Sequence, residues 1–236
     1  NSKIIHSPSQ EFYDIWTKIF ENSRPLSSYG ISAKTGPIQW DKYIQYLHST
    51  KEKDSTMLIW AENVQRYHLS KAKNRIDKQF ISTLNNVKTN IVGKAIITQR
   101  TTAQEQYWRI IACIVEPKSS CYSENGTNYI LLNDNISGPL LLCILNSTLI
   151  DFVFRHTNSN THVSSSELNA LPIVIPNKIQ TNIVEEFYNS FNEYTYNFDR
   201  LESFQRDIDD IIFNIYGLNE NQKSFILNYH KRFQSS

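Results

Sequence analysis

The stretch LLCILNSTLIDFVFRHTNSNTHVSSSELNALPIVIP, Leu141 to Pro176, holds three textures from which the fold is read. It opens as an apolar run with Leu141, Leu145, Leu149 and Phe152 on one stripe and Ile144 and Val153 beside it, the spacing of a buried helix that ends at Arg155. A dozen polar residues follow, nearly half of them Asn or Ser. The chain then re-emerges as an apolar strand, ALPIVIP, that carries Pro172 and Pro176. A polar loop tethered at both ends by rigid apolar elements is where readout groups are expected, although Asn and Ser are also the residues that turns prefer.

On the N-terminal side, Ser7-Pro8 followed by Phe12, Ile15, Trp16, Ile19 and Phe20 predicts a capped helix running to about Glu21. SSYGISAKTGPIQW is a turn-rich loop, Asp41 to His48 a short helix and Thr56 to Ala61 a buried strand. KAIITQRT and YWRIIACIV read as two strands separated by TTAQEQ, and Tyr129 to Leu132 as another. Helical spacing returns from Asn177 to Gly217, as one long helix or two with a break near Asn197. Gly217 is a C-terminal cap, and Asn219-x-x-Gln222 opens a last helix. Strands in the middle and helices at the ends predict an α+β fold: a central, mostly antiparallel sheet or partial barrel with flanking helices and a helical C-terminal region. The expected divisions are 1–26, a helical lead-in, 27–176, the main domain, and 177–236, the helical region packed on it.

The chain has 236 residues, 40% of them hydrophobic, enough for a sizeable core. No uncharged apolar run reaches the length of a membrane span, so no membrane partner is expected. The start, NSKIIHSPSQ, has neither an initiator Met nor an apolar signal core, and it reads as a fragment that lacks its upstream part. Cys113, Cys121 and Cys143 lie far apart without paired spacing, which suits inert buried thiols and a cytoplasmic location. Asn125-Gly-Thr and Asn146-Ser-Thr match the glycosylation triplet, which is common by chance.

Net charge is only +1, but its distribution is lopsided. Residues 1–118 hold 17 Lys and Arg against 10 Asp and Glu, and 119–236 hold 7 against 13. Within 63–109 alone there are nine basic residues against Asp77 and Glu105. Such a stretch attracts a polyanion by counterion release, and nucleic acid is the natural candidate. A solvated basic face balanced by the acidic half is the bland alternative.

Six glycines form neither a dinucleotide nor a triphosphate cradle. Neither G-x-S-x-G nor H-E-x-x-H occurs, and His156 and His162 have no third ligand at a metal-like spacing. An adenine methyltransferase centre needs a [DNS]-P-P-[YFW] loop and a glycine-bearing methyl-donor site, and the chain holds neither. It is therefore expected to be a non-catalytic binding unit.

Four blocks, in order, resemble the C-terminal target-recognition region of type II restriction-modification N6-adenine DNA methyltransferases, the TaqI-like specificity domains. They are Gly30 to Ile38 followed by TMLIWAENV; KAIITQRTTAQEQYWRIIACIV, Lys94 to Val115; SENGTNY, Ser123 to Tyr129; and LNSTLIDFVFR with SNTHV and SSSELNALPI. The C-terminal IDDIIFNIYGLNENQKSFI is similar as well. The first block departs from the family's S-T-G loop by inserting Ala33-Lys34. The resemblance spans about residues 27–233. It implies an upstream methyltransferase domain in the same polypeptide that binds S-adenosylmethionine and flips an adenine, while this part docks on double-stranded DNA and holds no cofactor. Some relatives also carry an endonuclease.

On that reading Lys71, Lys73, Arg75 and Lys94 are phosphate candidates, and Ser32, Lys34 and Thr35 form a second docking loop. Gln99, Arg100, Thr101, Thr102 and Arg109 lie at strand ends, where base readout gains fixed geometry. The resemblance adds Asn125 and Asn128. The polar stretch contributes Arg155, Asn158, Asn160, Thr161, His162 and Ser164. Arg100 or Arg109 paired with Glu105 is the structural alternative, and Trp16, Trp40, Trp60 and Trp108 are expected in the core. Two rival functions remain: a protein-interaction scaffold using the aromatic C-terminal helices, and a self-sufficient enzyme such as a nuclease.

Overall fold

The computed structural model describes residues 9–192 and 198–234. Helix α1, Gln10–Glu21, begins where the Ser9 hydroxyl accepts the Phe12 amide, and it buries Ile15 and Ile19. The Ser7-Pro8 start lies outside the described residues. Among the described residues ten short strands follow from the apolar runs: β1 Arg24–Pro25, β2 Ala33–Thr35, β3 Leu47–His48, β4 Ser55–Ile59, β5 Phe80–Ser82, β6 Ala95–Gln99, β7 Ala112–Val115, β8 Tyr122–Ser123, β9 Thr127–Leu131 and β10 Pro172–Ile173. The remaining helices are α2 Gly138–Leu145, α3 Thr148–Thr157, α4 Ser165–Ala170, α5 Lys178–Asn192, α6 Phe198–Ile215 and α7 Glu220–His230.

The strands build two four-stranded sheets, β2-β9-β6-β7 and β3-β5-β4-β8, and one two-stranded pair, β1-β10. The first sheet is wholly antiparallel; in the second only β4 and β8 run parallel. The α+β expectation holds, and neither sheet closes into a barrel. Alternation along β6 explains the layering. Ile96 enters the helical core with Leu141, Leu145, Phe152 and Ile212, while Ala95 and Ile97 enter a second core with Ile59, Val64 and Cys113. The first sheet is thus buried on both faces. Residues of α1, α2, α3, α5, α6 and α7 share the helical core. Cys113, Cys121 and Cys143 are buried and free, and burial pushes the first two thiols up to about 12, so none is poised to react.

Several elements differ from expectation. The apolar run is two helices, bent by 57° at Asn146–Ser147. The bend is specified by side chains: Asn146, fully buried, accepts from the Ala112 amide at 3.0 Å and donates to the Ala112 carbonyl at 2.9 Å, while Ser147 caps α3. Arg66 and Gln205 both donate to the Asn146 carbonyl, and the Arg66 guanidinium lies 3.4 Å from the Trp108 ring centroid. The Asn146 glycosylation triplet is therefore sealed inside the protein. Trp40–Tyr46 is a 3₁₀ segment leading into β3, not an α-helix. The basic segment contains β5, which its sequence did not reveal.

The polar stretch also folds. Ser164 and Glu167 form a reciprocal capping box that starts α4, leaving only two residues, Pro172–Ile173, as strand. Gly217 takes φ +71° as the left-handed cap of α6, and Asn219 and Gln222 cap α7 reciprocally, both as expected. The expected break near Asn197 lies outside the described residues. Among the described residues no single helix is long and apolar enough to cross a membrane; α2 and α3 meet that test only as a bent pair.

Candidate nucleic-acid interface

At one end of the antiparallel sheet β2 and β6 finish and β7 and β9 begin. Four connecting segments meet there. The Gly36 amide donates to Thr127 O at 3.0 Å, and Asn125 donates its amide to Ile38 O at 2.8 Å. Arg100 donates its amide to Gly126 O at 2.8 Å, and its carbonyl accepts from Val163 at 2.7 Å. The polar stretch joins this end through the bridge between Thr101 and His162 and through the Thr102 amide, which donates to Thr161 O at 3.0 Å. Asn169 of α4 exchanges two hydrogen bonds with Ala33, closing the ring.

Segments 99–109 and 158–164 form a double loop held from beneath by arginines. Arg109 is 1% exposed; its Nε donates to Thr102 Oγ1 at 3.1 Å and its Nη2 to Asn160 O at 2.6 Å. Arg155 donates to the carbonyls of Gln104, Gln106 and Tyr107 at 2.8, 2.6 and 3.1 Å and to Asp151 at 2.6 Å. Asp151 also accepts the Arg109 amide at 2.6 Å and lies 3.3 Å from His230. Burial pushes the Asp151 carboxyl up, yet His230 and Arg155 outweigh burial and hold it below the ordinary carboxylate value.

These bonds correct several sequence expectations. Thr102, Arg109, Asn128, Arg155 and Asn158 were expected to face a partner, but their polar groups turn inward because acceptors from distant segments surround them. Asn128 donates to Val163 O and accepts from Thr35, and Asn158 bonds His162 O and the Asn160 amide as a local turn. Ser164 spends its hydroxyl on the α4 cap and Gln99 its amide on Val64 O. These residues build the surface. Arg109 donates to Thr102 and Asn160 in the interior, and the charge of Glu105 also acts on it.

Exposed at the same end are Thr101, Asn160, Thr161 and His162, with Thr101 Oγ1 3.3 Å from His162 Nδ1. Thr35, Arg100 and Asn125 are half-buried there; Arg100 donates Nη1 to Asn125 O at 3.1 Å. Lys34 is exposed on β2, and Lys71 and Lys73 are exposed on a segment pinned by Ser70 and Asn74 to Asn63 and Glu62. Arg75 rests against the rings of Trp40 and Trp60, at 4.8 and 5.2 Å. Two expected residues lie apart. Lys94 is at the opposite end of β6, 3.9 Å from Glu116, and exposed Ser32 precedes β2.

Sequence reasoning missed Asp151, Gln104 and Glu124. Gln104 is exposed and donates to Ser159 O, which links the two loops. Glu124 is 7% exposed at the β8–β9 turn; burial pushes its carboxyl up while the Gly126 amide and the charges of Arg75 and Arg100 pull the other way. Its place in the S-E-N-G-T-N-Y block was the only signal. Among the described residues no group of His, Cys, Asp or Glu is placed to hold a metal ion. The surface offers hydrogen-bond donors and acceptors in fixed places, flanked by cations.

No family model matches the chain. It is 30% identical to the type II methyltransferase M.PstI of Providencia stuartii over 157 residues, 62% of this chain and 31% of that protein. Its fold is similar to that of the type IIL restriction-modification enzyme MmeI, solved in complex with DNA, with a TM-score of 0.55 at 13% identity over 91% of this chain and 35% of that one. A chain of a type I restriction-modification system gives a TM-score of 0.45 at 10% identity, over 94% of this chain and 52% of that one. The chain spans about a third of the methyltransferase it matches and of MmeI.

Proposed function

We propose that this chain is the double-stranded-DNA recognition part of an adenine-specific (N6) methyltransferase of a restriction-modification system, of the TaqI-like specificity type. The observation that carries the reading is the double loop at the end of the antiparallel sheet. It exposes Thr101, Asn160, Thr161 and His162, two-ended hydrogen-bonding groups of the kind that read base edges, on a base fixed by buried Arg109 and Arg155. Lys34, Lys71, Lys73, Arg75 and Arg100 would set register on the phosphates. Partial homology to a type II methyltransferase and a fold shared with MmeI support it. Binding of S-adenosylmethionine, flipping of the adenine and methyl transfer would belong to an upstream domain of the same polypeptide, working in the cytoplasm.

Titration of a fluorescent duplex at several salt concentrations tests the reading. Weak binding that falls steeply with salt is expected, with no methyl transfer by the chain alone. Absence of binding at low salt would count decisively against it. A protein-contact role also has one observation in its favour: Ile175, Ile179 and Ile183 form an exposed apolar row leading into and along α5, with Ile179 73% exposed.

A further inference from the structure

The last turn of the described chain touches the loops that present the reading groups. His230, at the end of α7, is 3% exposed and packs with tilted rings against Tyr107 and Trp108, at centroid distances of 4.5 and 4.2 Å. Its Nδ1 lies 3.3 Å from Asp151 Oδ2. Three residues on, the Phe233 ring lies 3.8 Å from the Arg155 guanidinium. Arg155 is the group that gathers the carbonyls of Gln104, Gln106 and Tyr107. His230 and Phe233 therefore cover, from one side, the carboxylate and the guanidinium that shape the 103–107 loop.

We infer that the end of α7, through His230 and Phe233, is a positioning device for base readout: it closes over the Asp151–Arg155 pair and holds the 103–107 loop against the 158–162 loop. The physical reason is geometric. A guanidinium satisfies three carbonyls only if its plane is fixed; Asp151 fixes one edge, and Phe233 supports a face. Readout demands that donors sit within about 0.5 Å of their productive positions. Phosphate contacts tolerate far more, because a point charge acts over a distance. Loss of the cover should thus blur sequence preference while sparing general DNA affinity. This inference rests on the DNA-recognition reading above.

The test selects duplexes from a pool with a randomised core, using wild type, Phe233→Ala, Arg155→Lys and Phe233→Tyr, and measures each protein's affinity for poly(dI-dC). Phe233→Ala and Arg155→Lys are expected to reduce the enrichment ratio about tenfold or more, the scale of one misread base pair. For Phe233→Ala the poly(dI-dC) affinity and salt slope should stay within about twofold of wild type. Phe233→Tyr, which keeps a ring, should restore the preference. Unchanged enrichment in Phe233→Ala overturns the positioning role but leaves DNA recognition standing. So does a parallel fall in enrichment and poly(dI-dC) affinity, which marks a merely structural contact. A wild type that enriches no sequence sinks the recognition reading itself. Phe233 lies in the last described turn, so its variants remain informative should Arg155→Lys misfold.

Discussion

Arg155 donates its Nε to Asp151 Oδ2 at 2.6 Å across one turn of α3, and the two side chains are 4% and 1% exposed. Pairs at this spacing on a helix surface contribute about 0.3–0.5 kcal/mol. This one is sealed, and removing one partner would leave the other charge buried and uncompensated. Asp151→Asn is therefore expected to cost about 3–5 kcal/mol at neutral pH, read from urea denaturation.

The same pair fixes a pH dependence. The folded-state value of Asp151 is depressed, so its contribution is fully present above the ordinary carboxylate value and is lost as pH falls through the depressed one. The stability gap between wild type and Asp151→Asn should shrink as urea curves are taken from pH 7 into that acid range. A gap that widens there would contradict the assigned sign.

Asn146 serves both the amide and the carbonyl of Ala112 without solvent contact. Asn146→Ala leaves the Ala112 amide orphaned, at about 1–3 kcal/mol, while the carbonyl keeps the Tyr67 amide at 2.8 Å, and it should loosen the bend between α2 and α3. Urea midpoints compared with a surface Asn→Ala control, such as Asn85→Ala, would measure it.

On the proposed DNA-recognition reading, exposed Lys71 and Lys73 and half-buried Arg75 meet phosphates, whereas Lys94, at the other end of β6, does not. Alanine at Lys71, Lys73 or Arg75 should lower the slope of log affinity against log salt by roughly 0.9 for each phosphate left without its cation. Lys94→Ala, at the far end of β6, should leave the slope unchanged. An equal change at Lys94 would show that the face has been wrongly located.

Gly36 is required by close approach. A Cβ there would sit 2.2 Å from the Glu124 carbonyl oxygen, which is main chain and has no rotamer by which to yield. Gly36→Ala should destabilise by about 1–3 kcal/mol, the usual scale of overpacking, and shift the 123–127 turn. Thermal melting checks the first effect and duplex affinity the second.

Much of the scaffold was legible in the sequence. β6, β7 and β9 follow from short apolar runs between turns, α7 from Asn219-x-x-Gln222, and the end of α6 from Gly217. The capping box Ser164-x-x-Glu167 is equally present, but it opens a helix of only six residues inside a polar stretch, too short to show a period. The break at Asn146 was less accessible: the apolar period runs straight through it, and the deciding partner, Ala112, is 34 residues away.

The sequence by itself determined which segments are apolar, where helices can start and stop, and that donors and acceptors gather near Arg100 and Arg155. Only the tertiary structure decided which of them face outward. Arg109, Arg155 and Asn158 look from the sequence as free to meet DNA as Thr101 or His162, because residue type gives hydrogen-bonding capacity but not the location of the nearest partner. Folding brings Asp151, Thr102 and the Asn160 and Gln104 carbonyls within 3.1 Å of the arginine donors, and a buried donor must take such a partner.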